Sequence, residues 1–298
     1  MDIKSRIVLS VLWLLSFLTL GGARRFGAFI GWLLRVTNSQ TYKVTRKNIE
    51  LCYPSLPEVE REKIVRGALF HAGCTAAEAG IAWAASERQL QANDKLITNV
   101  INEELLFAGL DKGKGVLLLM PHYGNWELFA SYIPRRIGVG VAMYKSAKMP
   151  LLDQRMRESR ELSGFKLLAA GRKGVIDFMK AYRQGQTCII LPDQQVSEKS
   201  GVWSSFFGIP AITTKFVHYL IKKNPEGVVL VTHVKRIESG FEIRFSEPEA
   251  GIFDDDLQAS TDAMNQSFEK KIDADGTEQY QWSYKRFKKN PEKHYRNL

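Results

Sequence analysis

Val116–Met120 (VLLLM) is an uninterrupted apolar run, closed by Pro121, Gly124 and Asn125 before an apolar, helix-like segment opens at Trp126. The pattern predicts a buried strand, a tight loop and a helix. Val139–Tyr144, Phe165–Leu168 and Thr187–Leu191 read as further strands, with helices over Pro150–Leu162 and Lys173–Arg183 between them. Upstream, Glu58–Ala85 has the pattern of a long amphipathic helix with acids in its first turns, Ser86–Asp94 reads as a polar link, Leu96–Val100 as a strand and Glu103–Leu110 as a helix. This rhythm of strands and helices predicts an α/β fold with a largely parallel central sheet and helices on both faces.

The later chain differs in period. Ser197–Ser205 reads as a polar loop, whereas Phe206–Pro210 is too apolar to be an exposed one. Thr213 or Thr214 can cap a helix running to Lys223. Val228–Val234 and Phe241–Phe245 alternate like an antiparallel pair, and Asp256–Ile272 and Thr277–Lys288 read as two terminal helices. At the other end, Ile7–Ala23 carries no charge, and its 17 positions would span roughly 26 Å as a helix. Arg24 and Arg25 separate it from a second apolar run, Phe26–Leu34. A signal peptide, a buried core helix and a membrane anchor compete here. The flanking basic residues with Trp13 and Trp32 favour an anchor, either a signal anchor or a hairpin dipping into one leaflet. The expected organisation is therefore an anchoring or interfacial segment over 1–36 and a catalytic domain over 37–298.

Composition narrows the partners. Lys+Arg 42 against Asp+Glu 32 gives a net charge of +10 over 298 residues, which suits anionic lipid, nucleic acid or an acidic carrier protein. No nucleic-acid motif is present, so charge alone does not select nucleic acid. Three scattered cysteines without a CxxC pair argue against a disulfide framework, and no metal site or nucleotide loop is expected.

The candidate chemistry sits in the break after the first strand, where His122 is followed five positions later by Glu127. In a regular helix this spacing makes the two side chains diverge, but a loop turning into a helix lets them converge. A histidine with a carboxylate can act as a general base with a stabilised imidazolium. A histidine that only caps or packs at a strand end is the bland alternative. Ligand sites in parallel sheets lie beyond the carboxyl ends of strands, and Asp193 follows a second strand end just as His122 follows the first.

Five stretches carry a resemblance: RKNIELCYPSLPEVEREKI (Arg46–Ile64), GKGVLLLMPHYGNWE (Gly113–Glu127), LPDQQ (Leu191–Gln195), GVWSSFFGIPAIT (Gly201–Thr213) and YQWSYKRFKKNP (Tyr280–Pro291). In this order they resemble the bacterial lipid A biosynthesis acyltransferases, the lauroyl/myristoyl acyltransferase family within the lysophospholipid acyltransferase group. The resemblance implies a glycerol-phosphate-acyltransferase-like fold and an HxxxxE motif with His122 as general base and Glu127 as its orienting partner. It implies transfer of a fatty acyl chain from acyl carrier protein to a hydroxyl of an acylated glucosamine disaccharide, a lipid A precursor, on the cytoplasmic side of the bacterial inner membrane, with no cofactor beyond the thioester. Arg160 best matches the family's arginine, with Arg155 and Arg157 close by, and Asp193 its later acid. Asn125, Arg160, Asp193, Phe207 and Gly208 are the expected substrate contacts, and Trp203, Phe206 and Ile209 join Phe207 as candidate walls for the acyl chain. Either Arg160 or the amides near Asn125–Trp126 would hold the oxyanion.

Two departures from the family pattern stand out. Gln195 replaces a common second acid after Asp193, and Tyr284 stands where a histidine is common. A lysophospholipid, ornithine lipid or other glycolipid acceptor is the enzymatic alternative. A non-catalytic, basic membrane-surface binding protein is the alternative of another class.

Overall fold

The structure, a computed structural model, describes residues 3–83, 85–296 and 298. Six helices and the first strand lead into the core: α1 (Ile3–Leu15), α2 (Leu20–Val36), α3 (Gln40–Cys52), α4 (Glu58–Ala82), α5 (Glu87–Asp94), β1 (Ile97–Ile101) and α6 (Glu103–Asp111). The central run is β2 (Val116–Leu119), the one-turn helices α7 (Phe129–Tyr132) and α8 (Pro134–Ile137), β3 (Gly140–Tyr144), α9 (Pro150–Leu162), β4 (Phe165–Ala169), α10 (Arg172–Arg183) and β5 (Thr187–Ile190). The chain closes with β6 (Gly201–Phe206), β7 (Ile209–Thr214), α11 (Phe216–Lys223), β8 (Val228–Ile237), β9 (Gly240–Ser246) and α12 (Leu257–Asp275).

Seven strands form one sheet in the order β1-β9-β8-β2-β5-β3-β4, and β6 and β7 form a separate hairpin. All pairings in the large sheet are parallel except β8 with β9. The expected α/β architecture is the one observed. Strand β2 lies at the centre and is buried on both faces, which explains its unbroken apolar run. Leu117 and Leu119 point into one core with Phe178, Leu220 and Phe268, while Val116 and Leu118 point into another with Phe129, Leu106 and Phe245.

The N-terminal apolar run is not one helix. It breaks between Leu15 and Leu20, where the Ser16 hydroxyl donates to the Trp13 carbonyl and Thr19 caps α2 by accepting from the Gly22 N–H. No helix among the described residues is long and apolar enough to cross a membrane. Of the two forms expected for the anchor, a signal anchor and a hairpin dipping into one leaflet, the described residues do not show the single spanning helix of the first. Helix α2 instead lies hard against α4: a Cβ at Gly27 would sit 2.6 Å from the Cys74 nitrogen, and one at Gly31 would sit 2.7 Å from the Leu69 carbonyl oxygen. The outer side of α1, its link to α2, and α2 is apolar and open, with Trp13, Leu14, Phe17, Phe29 and Trp32 all exposed.

Four other local expectations change. Ser86 caps a helix, α5, where a polar link was expected. Trp126 opens only a 3-10 turn followed by the two one-turn helices α7 and α8. The Ser197–Ser205 loop ends in strand β6, whose Ser204 hydroxyl donates to Asp262 and accepts from Asn265. Thr277–Lys288 is not a helix beyond the 3-10 turn Thr277–Gln279: Tyr280, Trp282 and Phe287 are all buried, a spacing that one helix face does not provide.

Candidate active site

The site follows from strand register. Parallel β2 and β5 pair Leu119 with Ile190, and the Met120 N–H continues the ladder to the Ile190 carbonyl. Three residues beyond those partners stand His122 and Asp193. The His122 backbone N–H donates to Asp193 Oδ2 at 2.8 Å, and His122 Nδ1 lies 2.6 Å from Asp193 Oδ1. Asp193 is buried. Burial opposes its charge, yet the imidazole, the two bonds from His122 and the Arg286 guanidinium hold its carboxyl below the usual range.

The expected His122–Glu127 pairing is not the one formed. No hydrogen bond joins these two side chains among the described residues. The 3-10 turn at Trp126 carries Glu127 toward α9, where Arg160 Nη2 donates to both carboxylate oxygens at 2.8 and 2.9 Å. Burial opposes the Glu127 charge too, but Arg160 foremost keeps its carboxyl below the usual range. Arg155 bonds the Trp83 carbonyl and Arg157 pairs with Glu161 at the surface, so Arg160 is the α9 arginine that reaches the site. Trp126 packs edge-on to the His122 ring with centroids 5.0 Å apart.

The loop itself is braced from below. Gly124 has φ +58, and a Cβ there would lie 1.7 Å from the Val234 carbonyl oxygen, so a side chain is excluded. The Asn125 N–H donates to that same carbonyl at 3.2 Å, and its side-chain amide donates to Glu78 Oε2 at 2.8 Å. Buried Glu78 also accepts from Arg236 Nε at 2.9 Å, and Arg24 of α2 approaches it at 3.8 Å. Arg24 in turn donates to the carbonyls of Ile237, Glu238 and Gly240. From the other side, the Gln281 N–H donates to the His122 carbonyl at 3.0 Å.

His122, Glu127 and Arg160 line one open cavity of about 1370 Å³ at the carboxyl end of the sheet. Its walls mix apolar groups such as Trp126, Met143, Phe165 and Ile176 with basic ones. Of the other expected contacts, Asp193 lies behind His122 rather than on the wall, and Asn125 is buried in the brace. Phe207 and Gly208 form the β6–β7 turn, both with positive φ, and Phe207 packs on Tyr53 and Trp282 away from the cavity. Trp203, Phe206 and Ile209 do not line it either, because the hairpin buries Phe206 against Tyr280 and Phe287. Glu78 and Arg236 are absent from the sequence-based candidates. Their one sequence signal is an acid within the small-residue run Ala76–Gly80.

The arrangement offers an imidazole whose Nδ1 faces a carboxylate and a neighbouring guanidinium held by a second carboxylate, both on a partly apolar cavity. That inventory suits proton removal from an alcohol beside an acyl group. The comparisons agree in kind. Residues 3–289 match the family model described as bacterial lipid A biosynthesis acyltransferase. A Haemophilus influenzae lipid A biosynthesis acyltransferase is 31% identical over 278 residues, 90% of this chain and 85% of the relative. An Escherichia coli lipid A biosynthesis lauroyltransferase is 28% identical over 95% of this chain and 91% of its own. An Escherichia coli lipid A biosynthesis palmitoleoyltransferase is 26% identical over 95% and 90%. With the family model matched over nearly its whole length, the chain belongs to the bacterial lipid A biosynthesis acyltransferases and is an acyltransferase.

Proposed function

We propose that this acyltransferase moves a fatty acyl chain from an acyl-carrier-protein thioester to a hydroxyl of a lipid A precursor, with His122 as general base and no covalent intermediate. The bond from His122 Nδ1 to Asp193 Oδ1, at 2.6 Å, carries the reading. A buried carboxylate at Nδ1 fixes the proton on that nitrogen and leaves Nε2 as the acceptor for the alcohol proton. Asp193, rather than Glu127, then stabilises the imidazolium as it forms. The alcohol oxygen attacks the thioester carbon, the C–S bond breaks, and the thiolate leaves as the weaker base. The Asn125 amide is committed to Val234, whereas Arg160 lines the cavity with His122 and has N–H donors beyond those on Glu127, so it is the side chain for the thioester oxygen. Glu127 holds that guanidinium in place.

The exposed apolar side of α1 and α2, rich in aromatics, supports seating in one leaflet of the inner membrane from the cytoplasmic side, close to a lipid acceptor. Incubation of the purified protein with acyl carrier thioester and a lipid A precursor should give a product heavier by one ester-linked acyl chain. Mass spectrometry reads it directly. Absence of transfer across several chain lengths and acceptors defeats the assignment, as does full activity of a folded His122→Ala variant.

A further inference from the structure

Beyond the His122 loop, three other pieces of chain contribute basic residues to the cavity lining. The start of α10 contributes Arg172, the link before β6 contributes Lys199 with Ser197 and Ser200, and the start of α11 contributes Lys215. These pieces are held together: the Lys215 N–H donates to the Ser200 carbonyl at 3.3 Å, and Phe178 of α10 packs on Phe216 of α11 with ring centroids 5.7 Å apart.

The charge they bring is uncompensated. Glu127 is the single carboxylate lining the cavity among the described residues, and Arg160 already occupies it. Some exposed cations elsewhere pair with acids, as Arg46 does with Glu50, Lys114 with Glu226 and Arg157 with Glu161, and others pair with none among the described residues. Arg172, Lys199 and Lys215 make no ion pair among the described residues, although the cavity they line is concave. Gathering three like charges on a concave surface is unfavourable unless an anion joins them. Neutral donors accompany them, for the Ser197 and Ser200 hydroxyls lie 2.9 Å apart in the same lining. Val175 and Ile176 follow Arg172 on α10, Tyr219 follows Lys215 on α11, and all three line the same cavity, which gives it apolar surface. A guanidinium, two ammonium groups and hydroxyls suit phosphate oxygens.

We propose that Arg172, Lys199 and Lys215 form a phosphate subsite that seats a substrate's phosphate group while its acyl part lies along the apolar lining of the same cavity. The assignment rests on reading this cavity as the acyl-transfer site. The phosphate belongs either to the acceptor glycolipid or to the phosphodiester of a carrier-borne pantetheine arm.

The test has a binding measurement that needs no turnover. Octyl phosphate and uncharged octyl glucoside are titrated calorimetrically into the full-length protein and into a variant carrying Arg172→Gln, Lys199→Gln and Lys215→Gln. The variant should bind octyl phosphate about tenfold or more weakly and octyl glucoside within about twofold of the parent. A variant keeping the charges, with Arg172→Lys, Lys199→Arg and Lys215→Arg, should retain most of the affinity for octyl phosphate. Equal weakening toward both probes, or none, overturns the subsite whether or not the protein transfers acyl chains. Turnover then names the source, using acceptors with and without phosphate and thioesters of pantetheine with and without phosphate. A rise in KM confined to the phosphorylated acceptor assigns the group to the acceptor, and one confined to the phosphopantetheine thioester assigns it to the donor. An equal rise in every combination overturns the subsite.

Discussion

His122 and Asp193 are joined twice: Asp193 Oδ1 faces the imidazole Nδ1 at 2.6 Å, and Oδ2 accepts the His122 backbone N–H at 2.8 Å. The carboxylate therefore fixes both the ring and the backbone that carries it. In Asp193→Asn the side-chain amide can donate to Nδ1, moving the ring proton to Nε2, the nitrogen that the proposed mechanism uses as base. The variant should keep its fold and lose about 10²–10⁴-fold in kcat. Steady-state kinetics with circular dichroism checks both, and a kcat within a few-fold of the parent would remove Asp193 from the mechanism.

Glu127 and Arg160 act as a unit, since Arg160 Nη2 contacts both carboxylate oxygens. Glu127→Gln strands a guanidinium and Arg160→Met strands a carboxylate, so each alone should cost more than its share. The double variant should recover part of the stability, with a coupling of about 1–3 kcal/mol. A double-mutant cycle by urea denaturation measures it, and additive losses would show that the pair does not act as a unit.

How much of this was legible in the sequence depends on the kind of contact. The apolar run Val116–Met120 announced a buried strand, and the rhythm up to Leu191 announced the mostly parallel sheet, because burial on two faces leaves a local mark. That Asp193 would face His122 depends on β2 and β5 pairing Leu119 with Ile190, a register no local pattern encodes. The helix pattern read at Thr277–Lys288 failed for a related reason. Its aromatics serve partners far away in sequence, Tyr280 bridging to Tyr123 and the Trp282 carbonyl accepting from Asn48. Uninterrupted hydropathy over Ile7–Ala23 concealed the cap at Thr19, and Phe207 looked like a pocket wall because its apolar character says nothing about which core it enters.

Glu78 supports the loop from beneath. It is buried with Arg236 and takes the Asn125 amide at 2.8 Å. Glu78→Gln should lower stability by about 3–5 kcal/mol, because it leaves Arg236 buried without its counter-charge. Below the unfolding transition the remaining activity should fall as well, since Asn125 lies between His122 and Glu127. Urea midpoints and kcat measured in parallel test this, and a neutral substitution would contradict the account of the brace.

Acid should unfold the protein through the same carboxylates. Asp193 and Glu127 both titrate below their ordinary values of 3.8 and 4.5 although burial opposes their charge. With depressed folded values the unfolded chain takes up protons first as pH falls, so their stabilisation is full well above pH 4.5 and is lost progressively below it. The melting temperature should drop through this range. The double variant Asp193→Asn/Glu127→Gln, less stable at neutral pH, should show a shallower acid slope, and an unchanged slope would place the acid sensitivity elsewhere.

The open side of α1 and α2 makes the last prediction. Trp13, Phe17, Phe29 and Trp32 are exposed, while the other side of α2 is fixed to α4 through Gly27 and Gly31. These aromatics therefore have no core to enter, and a leaflet interface is the apolar medium they match. Replacing Trp13, Phe17 and Trp32 with serine should leave thermal stability within a few degrees, since little buried area is lost. The same change should weaken sedimentation with anionic phosphatidylglycerol vesicles by about tenfold or more, in line with the transfer energy of three large side chains. Transfer to an acceptor held in vesicles should fall with it, while transfer to a detergent-dispersed acceptor should fall far less. Equal loss in both assays would mean that these residues serve the fold rather than the membrane.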